Sequence, residues 1–513
     1  MAAVPVWSVD PRDGTRRGQV AVEATAAHVD AAVRSAEAVR GALADRTARA
    51  AFLRAAAAEL EDDRAELIAL ADAETALGPT RLDGELARTV TQLRAFADTV
   101  DAGRFLDVII DHPNDTVTPP VPDLRRYKIP IGVVAVYAAS NFPFAFSIPG
   151  GDTASALAAG CPVVVKAHPD HPATSERAAA ALRRAAPRAG LPEDVVQLVH
   201  GFDAGLHLVR HPLVAAAGFT GSIRGGRALF DEAAARPTPI PFHGELGSLN
   251  PVVVTEAAAA ERAEEIGTTL AQSVSLGHGQ FCVKPGLVLV PAGRHGDRLV
   301  TALAGALEKV PSGVLLDERM RRAYLDGMAA RGALPGVHAD VPAAADGAHE
   351  VRAGLLSLPA ALLAEGDGHD LLIEECFGPA AVVVRYTGPE EVDAILARLP
   401  GNLTATLQIS REEAEPGTRE VAGTAARLLP RLTALAGRVV VNAWPTGVAV
   451  APAQHHGGPY PASTSTSTSV GETAVERWLR PVVYQNTPDA LLPPELREDN
   501  PLRLPRRVDG HPA

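Results

Sequence analysis

Residues 131–166 read IGVVAVYAASNFPFAFSIPGGDTASALAAGCPVVVK, two short apolar runs flanking a stretch broken by proline and glycine and then rich in alanine. The uncharged span from Ile131 to Gly151 is long enough to imitate a membrane helix, but Asn141, Pro143, Pro149 and the Gly150-Gly151 pair interrupt it. It reads instead as a buried strand running into a loop. Gly132 to Tyr137 and Pro162 to Lys166 show no alternation of polar and apolar residues, as suits parallel strands covered on both faces. The pattern recurs at Val195 to Val199 and Ala215 to Phe219, with Ser175 to Ala186 as a crossover helix. This is a doubly wound α/β pattern.

Working outward, Pro251 to Thr255 opens a second series that continues through Leu287 to Val290 and Ala381 to Val384, a further α/β lobe. Upstream, Ala24 to about Val100 has helical spacing, with Arg49 to Leu70 the clearest amphipathic stretch. Asp111 to Pro122 carries four prolines and no helical period, marking a boundary or an extended arm. Ser463 to Ser469 alternates Ser and Thr and reads as a low-complexity loop.

At 513 residues the chain exceeds one compact core, and 47% hydrophobic with 21% charged residues is an ordinary globular balance. A formal charge of −13 lacks the basic footprint that nucleic-acid binding requires. The cysteines, Cys161, Cys282 and Cys376, form no metal-ligand pair and no disulfide framework, and the N-terminus lacks the pattern of a signal peptide. A reducing, cytoplasmic setting with no membrane span and no metal is expected.

Five features carry chemistry. Phe219-Thr220-Gly221-Ser222 ends a strand and leads through Gly225 and Gly226 into a helix, where backbone N–H groups can meet a pyrophosphate; a tight turn needing small residues explains it equally well. Lys166 closes a strand at the sheet edge where ligands bind, or is simply solvated there. Cys282, in Gly-His-Gly-Gln-Phe-Cys at 277–282, is a nucleophile if its surroundings lower its pKa from about 8.5, and otherwise an inert core thiol. Glu245, between Gly244 and Gly247, is a general base if buried or a solvated turn carboxylate if not. Asn141, the only amide in its apolar run, either holds a loop or donates to an oxyanion.

Asn-Phe-Pro at 141–143, Val-Val-Lys at 164–166, Phe-Thr-Gly-Ser at 219–222, Gly-Glu-Leu-Gly at 244–247, Gly-Gln-x-Cys at 279–282 and Glu-Glu-Cys-Phe-Gly-Pro at 374–379 together resemble the aldehyde dehydrogenase superfamily. Residues 139–144, 150–157 and 166–169, with 442–447, 456–461 and 480–486, are similar to its bacterial 2-oxoglutarate semialdehyde (2,5-dioxopentanoate) dehydrogenases and their NADP-dependent fatty-aldehyde relatives. The resemblance spans about residue 10 to residue 486 and implies a Rossmann-type cofactor domain (1–112 and 131–246) and an α/β catalytic domain (247–460). Oligomerisation arms (113–130 and 478–490) and an irregular tail (491–513) complete the expected organisation.

The same resemblance implies that Cys282 attacks the aldehyde carbon, that the Asn141 amide and the Cys282 N–H hold the oxyanion, and that Glu245 activates water. Glu375 would hold the nicotinamide ribose, Phe377 would pack near the ring, Lys166 would bind the adenosine ribose, and Gly221, Ser222 and Gly226 would meet the pyrophosphate. Pro169 stands where many NAD-preferring relatives carry a Glu, so NADP is permitted alongside NAD, with His168 or Arg210 as further phosphate contacts. Ser140 replaces a frequent Trp, and Cys376 replaces a common Ile as a structural residue. The expected substrate is a small aldehyde, 2-oxoglutarate semialdehyde first and a medium or long aliphatic aldehyde second. The expected assembly is a homodimer or homotetramer. A cysteine hydrolase or acyl transferase pairing Cys282 with His278, or a non-catalytic protein that has kept the fold, are the alternatives from other classes.

Overall fold

The computed structural model describes residues 4–415 and 423–513. Strands β1 (Val133–Tyr137), β2 (Val163–Lys166), β3 (Val196–Val199), β4 (Val214–Thr220) and β5 (Phe242–Glu245) form one all-parallel sheet in the order β3-β2-β1-β4-β5. The chain leaves β1 toward one edge, returns, and continues from β4 toward the other. The carboxyl ends of β1 and β4 therefore border the switch point where such sheets hold ligands. Alternation decides the packing. Val134 and Val136 face the helices Arg46–Asp62, Pro79–Ala102 and Pro172–Arg188, while Val133, Ala135 and Tyr137 face Ala26–Ala38 and Phe202–Arg210. Each fully buried valine contributes roughly 1.5–3 kcal/mol relative to exposure, which is why both faces read as apolar.

The second sheet comprises β6 (Val252–Val254), β7 (Leu287–Pro291), β8 (His338–Val341), β9 (Gly354–Pro359), β10 (Ala380–Tyr386), β11 (Asn402–Gln408) and β12 (Ala436–Val441). Their order is β8-β9-β10-β7-β6-β11-β12, parallel except for the edge strand β8. It too is covered on both sides, by Val253, Leu287 and Leu289 on one face and Val252, Val254, Val288 and Val290 on the other.

The amphipathic stretch Arg49 to Leu70 is helical in two pieces: the first helix ends at Asp62, and Asp63 (φ −86°, ψ 5°) separates it from Arg64–Thr75, its carboxylate engaged by Arg177 and Arg184. Within the segment Asp111 to Pro122, Asn114 and Val121 bridge. One sequence expectation changes. The tail 491–513 is not irregular throughout. Arg506–Val508 pairs in parallel with Val108–Ile110, extending a sheet that also contains Leu124–Pro130 and Leu479–Gln485, and Leu492, Leu496 and Leu504 are buried beside it. Burial of those leucines offsets the ordering cost that the Pro- and Arg-rich composition had suggested would prevail. Among the described residues no helix is long and apolar enough to cross a membrane.

Candidate active site

Cys282 follows the helix Glu256–Ser275 through a turn in which Gly277, His278 and Gly279 all have positive φ. A Cβ on Gly279 would stand 2.2 Å from the Gly378 carbonyl oxygen, so only glycine lets the turn close against the segment that carries Glu375. The turn is fixed from beneath by Asn250, whose side-chain amide donates to the carbonyls of Cys282 (2.8 Å) and Lys284 (3.0 Å). The Asn402 side-chain oxygen in turn accepts from the Leu249 and Asn250 N–H groups (3.0 and 2.9 Å). The loop that carries Cys282 thus hangs on the second sheet through buried, satisfied amides.

From the first sheet, the loop after β1 brings Asn141, whose Nδ2 donates to the Gln280 carbonyl at 3.0 Å, two residues before the thiol. Gly221, after β4, donates its N–H to the Glu245 carbonyl (3.0 Å), tying the end of β4 to the end of β5. The Ser222 hydroxyl accepts from Gly225 N–H (3.2 Å) and caps the helix Ile223–Ala235. Asn141, Gly221, Ser222, Glu245, Cys282, Glu375 and Phe377 line a single cavity of about 220 Å³, with Ser140 and His456 on the same wall.

Gly226 and Lys166 are not on that wall. A Cβ on Gly226 would sit 2.1 Å from Leu246 and close to Phe219, so this glycine serves the close approach of helix to sheet. Lys166 ends β2 at the ligand edge and makes no ion pair among the described residues. Burial, opposed by Asp170 and Glu23, lowers its pKa to about 8. His168 is partly exposed and bonded locally to Asp170. Arg210 pairs with Glu232 through two 2.6 Å contacts at the surface. Cys376 packs beside Gly327, away from the cavity.

The electrostatics of the cavity are dominated by burial. Burial, with Glu375 and Glu245 adding to it, pushes the Cys282 thiol up to about 12. Burial raises Glu245 to about 7 against the opposing charge of Arg477, and raises Glu375 to about 7 against Lys284. Two carboxyl groups and a thiol, each made costly to ionise by burial, line this one cavity.

Several participants were not read from the sequence. Glu245 is ion-paired with the fully buried Arg477, which also holds Asp152 at 3.2 Å, and accepts from the Ser463 hydroxyl at 2.7 Å. The Ser/Thr-alternating loop is therefore a largely buried polar rack with Thr466 at its exposed point: Thr464 bonds both Gly244 and Phe242, and Ser465 bonds His243. His278, the imidazole of the hydrolase alternative, packs against Gly313. The ring that faces the thiol is His456, with Nε2 3.7 Å from the Cys282 Sγ. Burial, with Arg438 and Arg88 nearby, holds His456 down to about 3, hence neutral.

The family model described as "Aldehyde dehydrogenase family" matches residues 4–479. Alpha-ketoglutaric semialdehyde dehydrogenase 2 of Azospirillum brasilense is 48% identical over 470 residues, covering 90% of this chain and 87% of that protein. The alpha-ketoglutaric semialdehyde dehydrogenase of Acinetobacter baylyi is 42% identical over 474 residues, covering 90% and 86%. Among solved structures, an E. coli NADP dependent enzyme superposes with a TM-score of 0.78 at 24% identity, covering 94% of each chain. That last likeness speaks to the fold alone.

Proposed function

Since the chain belongs to the aldehyde dehydrogenase family, we propose that it oxidises 2-oxoglutarate semialdehyde to 2-oxoglutarate, with Cys282 as the acyl carrier. The observation that carries this reading is the convergence of Cys282, Asn141, Glu245 and Glu375 on one cavity, in a chain that covers 87% and 86% of the two relatives named above, which bear that substrate in their names.

The thiol at about 12 is protonated at neutral pH and needs a base; Glu245, at about 7, is half ionised there and lines the same space. The neutral His456 is too weak a base for this and serves to orient the thiol. As the thiolate bonds the aldehyde carbon, the carbonyl oxygen becomes an oxyanion. Asn141 Nδ2 and the Cys282 N–H are the donors for it. NAD or NADP, held at its nicotinamide end by Glu375 and Phe377, would supply the hydride acceptor that lets the acyl group rest as a thioester on Cys282. Glu245 releases the thiol's proton to solvent, then takes a proton from water as the water oxygen bonds the acyl carbon, and passes that proton to the leaving sulfur. The C–S bond breaks, the acid departs and the thiol is regenerated.

The residues present fit a dinucleotide. Gly221 and the capped helix start of Ser222 stand at the switch point, where an added Cβ on Gly221 would clash with Phe219 at 2.7 Å. Glu375 and Phe377 on the opposite wall would hold the nicotinamide end, and Lys166 the adenosine ribose. Pro169 in place of a carboxylate, with the unpaired Lys166 ammonium, supports acceptance of NADP as well as NAD. The arm Leu479–Gln485 lies at the edge of its sheet, as the expected homo-oligomer would require.

The test is nucleotide reduction with 2-oxoglutarate semialdehyde and a series of aliphatic aldehydes, each with NAD and NADP. A preference for the semialdehyde is expected; efficient turnover of long aldehydes alone would displace the substrate assignment.

A further inference from the structure

Cys282 is a wall shared by two cavities. The second, of about 180 Å³, lies on the other side of the thiol from Glu375 and Phe377, and is lined chiefly by Phe142, Phe146, Phe281, Val283 and Val448, with Arg88 among them. On the helix Pro79–Ala102, Arg81, Glu85 and Arg88 are spaced four and three residues apart, which places all three on the face that borders this cavity.

Their hydrogen bonding is unequal. Glu85 accepts from the N–H groups of Phe144 and Ala145 through one oxygen (2.8 and 2.9 Å). Arg81 donates to the Asn141 carbonyl (2.6 Å) and lies over the Phe281 ring at 4.4 Å. Arg88 spends only its Nε–H, on the Val448 carbonyl (3.1 Å); both terminal nitrogens are buried without any partner. Phe146 lies beneath its guanidinium at 5.5 Å. A buried guanidinium with its fork unused is costly unless something completes it. Two cations face one carboxylate here, so the surplus charge is positive.

We propose that Arg88 is the specificity determinant that receives the substrate's carboxylate, its two free nitrogens forming a bidentate pair while the aldehyde end reaches Cys282. The apolar walls fit the methylene carbons between the two ends, and an uncharged aldehyde would leave the fork unpaired. This deepens the reading above and rests on Cys282 being the thiol attacked.

The experiment compares kcat/KM for 2-oxoglutarate semialdehyde, glutaric semialdehyde and pentanal in the wild-type enzyme and in Arg88→Met and Arg88→Lys. The ratio of carboxylated to uncharged substrate is expected to fall about 100-fold in Arg88→Met, mainly through KM, and about 10-fold in Arg88→Lys, whose ammonium cannot form the fork. If Arg88→Met does not fold, Arg88→Lys carries the test by the same ratio. A ratio unchanged in the variants, or a wild-type preference for pentanal, overturns the assignment of Arg88 and leaves aldehyde oxidation standing. A wild-type preference for glutaric semialdehyde that Arg88→Met abolishes sustains Arg88 and removes the particular substrate instead.

Discussion

Replacing Arg477 with Met removes the charge that opposes burial in setting the basicity of Glu245. Both side chains are excluded from solvent, at 0% and 2% exposure, so water screens their attraction little. Two unit charges about 4 Å apart at an effective dielectric constant near 20 interact by about 4 kcal/mol, equivalent to about three pKa units; a carboxylate beside a guanidinium is ordinarily lowered by about one to three. Loss of Arg477 therefore raises Glu245 from about 7, leaving less carboxylate at any given pH. The acid limb of steady-state turnover should move upward by about one to three pH units. Near neutrality the variant should lose rate both in single-turnover nucleotide reduction and in steady-state turnover, because one carboxylate serves the thiol and then the water. Arg477→Lys, which keeps the charge, should move the limb less. The release of Asp152 from the same guanidinium costs stability, so the profile is compared below the variant's own unfolding temperature. An acid limb that stays in place in Arg477→Met would refute the assignment of Glu245 as the base.

Two further outcomes follow from the geometry. Asn141→Ala should lower kcat by about 10²–10³-fold with little change in nucleotide affinity, measured by steady-state kinetics at saturating cofactor; an undiminished kcat would remove Asn141 from the oxyanion site. Gly226→Ala forces a methyl group against Leu246, and overpacking of this kind costs about 1–3 kcal/mol; thermal unfolding should shift down while nucleotide KM rises, and an unchanged melt would show that the helix can retreat at no cost.

How much was legible in the sequence follows from where the polar groups go. The strands β1, β2, β4, β7 and β10 declared themselves because both faces are largely buried and polar residues fall only at their carboxyl ends. β11 did not: Asn402, Thr404, Thr406 and Gln408 alternate with apolar residues as though one face met water, yet all are buried. Asn402 and Thr404 are satisfied by Ser248 and the Leu249–Asn250 backbone and side chains, partners about 150 residues away that no local pattern reveals. The site divides in the same way. Cys282, Glu245 and Asn141 are marked by glycines or by isolation in an apolar run. Arg477, in contrast, meets Glu245 across 232 residues, and Ser463 meets it across 218. The Arg81–Glu85–Arg88 spacing was present in the sequence but is indistinguishable there from a solvated helix face; its meaning comes from the phenylalanines packed over it.

The claim at the centre of the account is that the acyl group rests on Cys282. The most direct test acid-quenches the wild-type enzyme during turnover, at a pH below the Glu245 value where thioester hydrolysis is slow, and locates the adduct by peptide mass spectrometry. With Cys161 buried and Cys376 packed away from the cavity, a 2-oxoglutaryl mass on the Cys282 peptide alone is expected. Reduced nucleotide formed with no adduct on that peptide, or an adduct on either other cysteine, would contradict it.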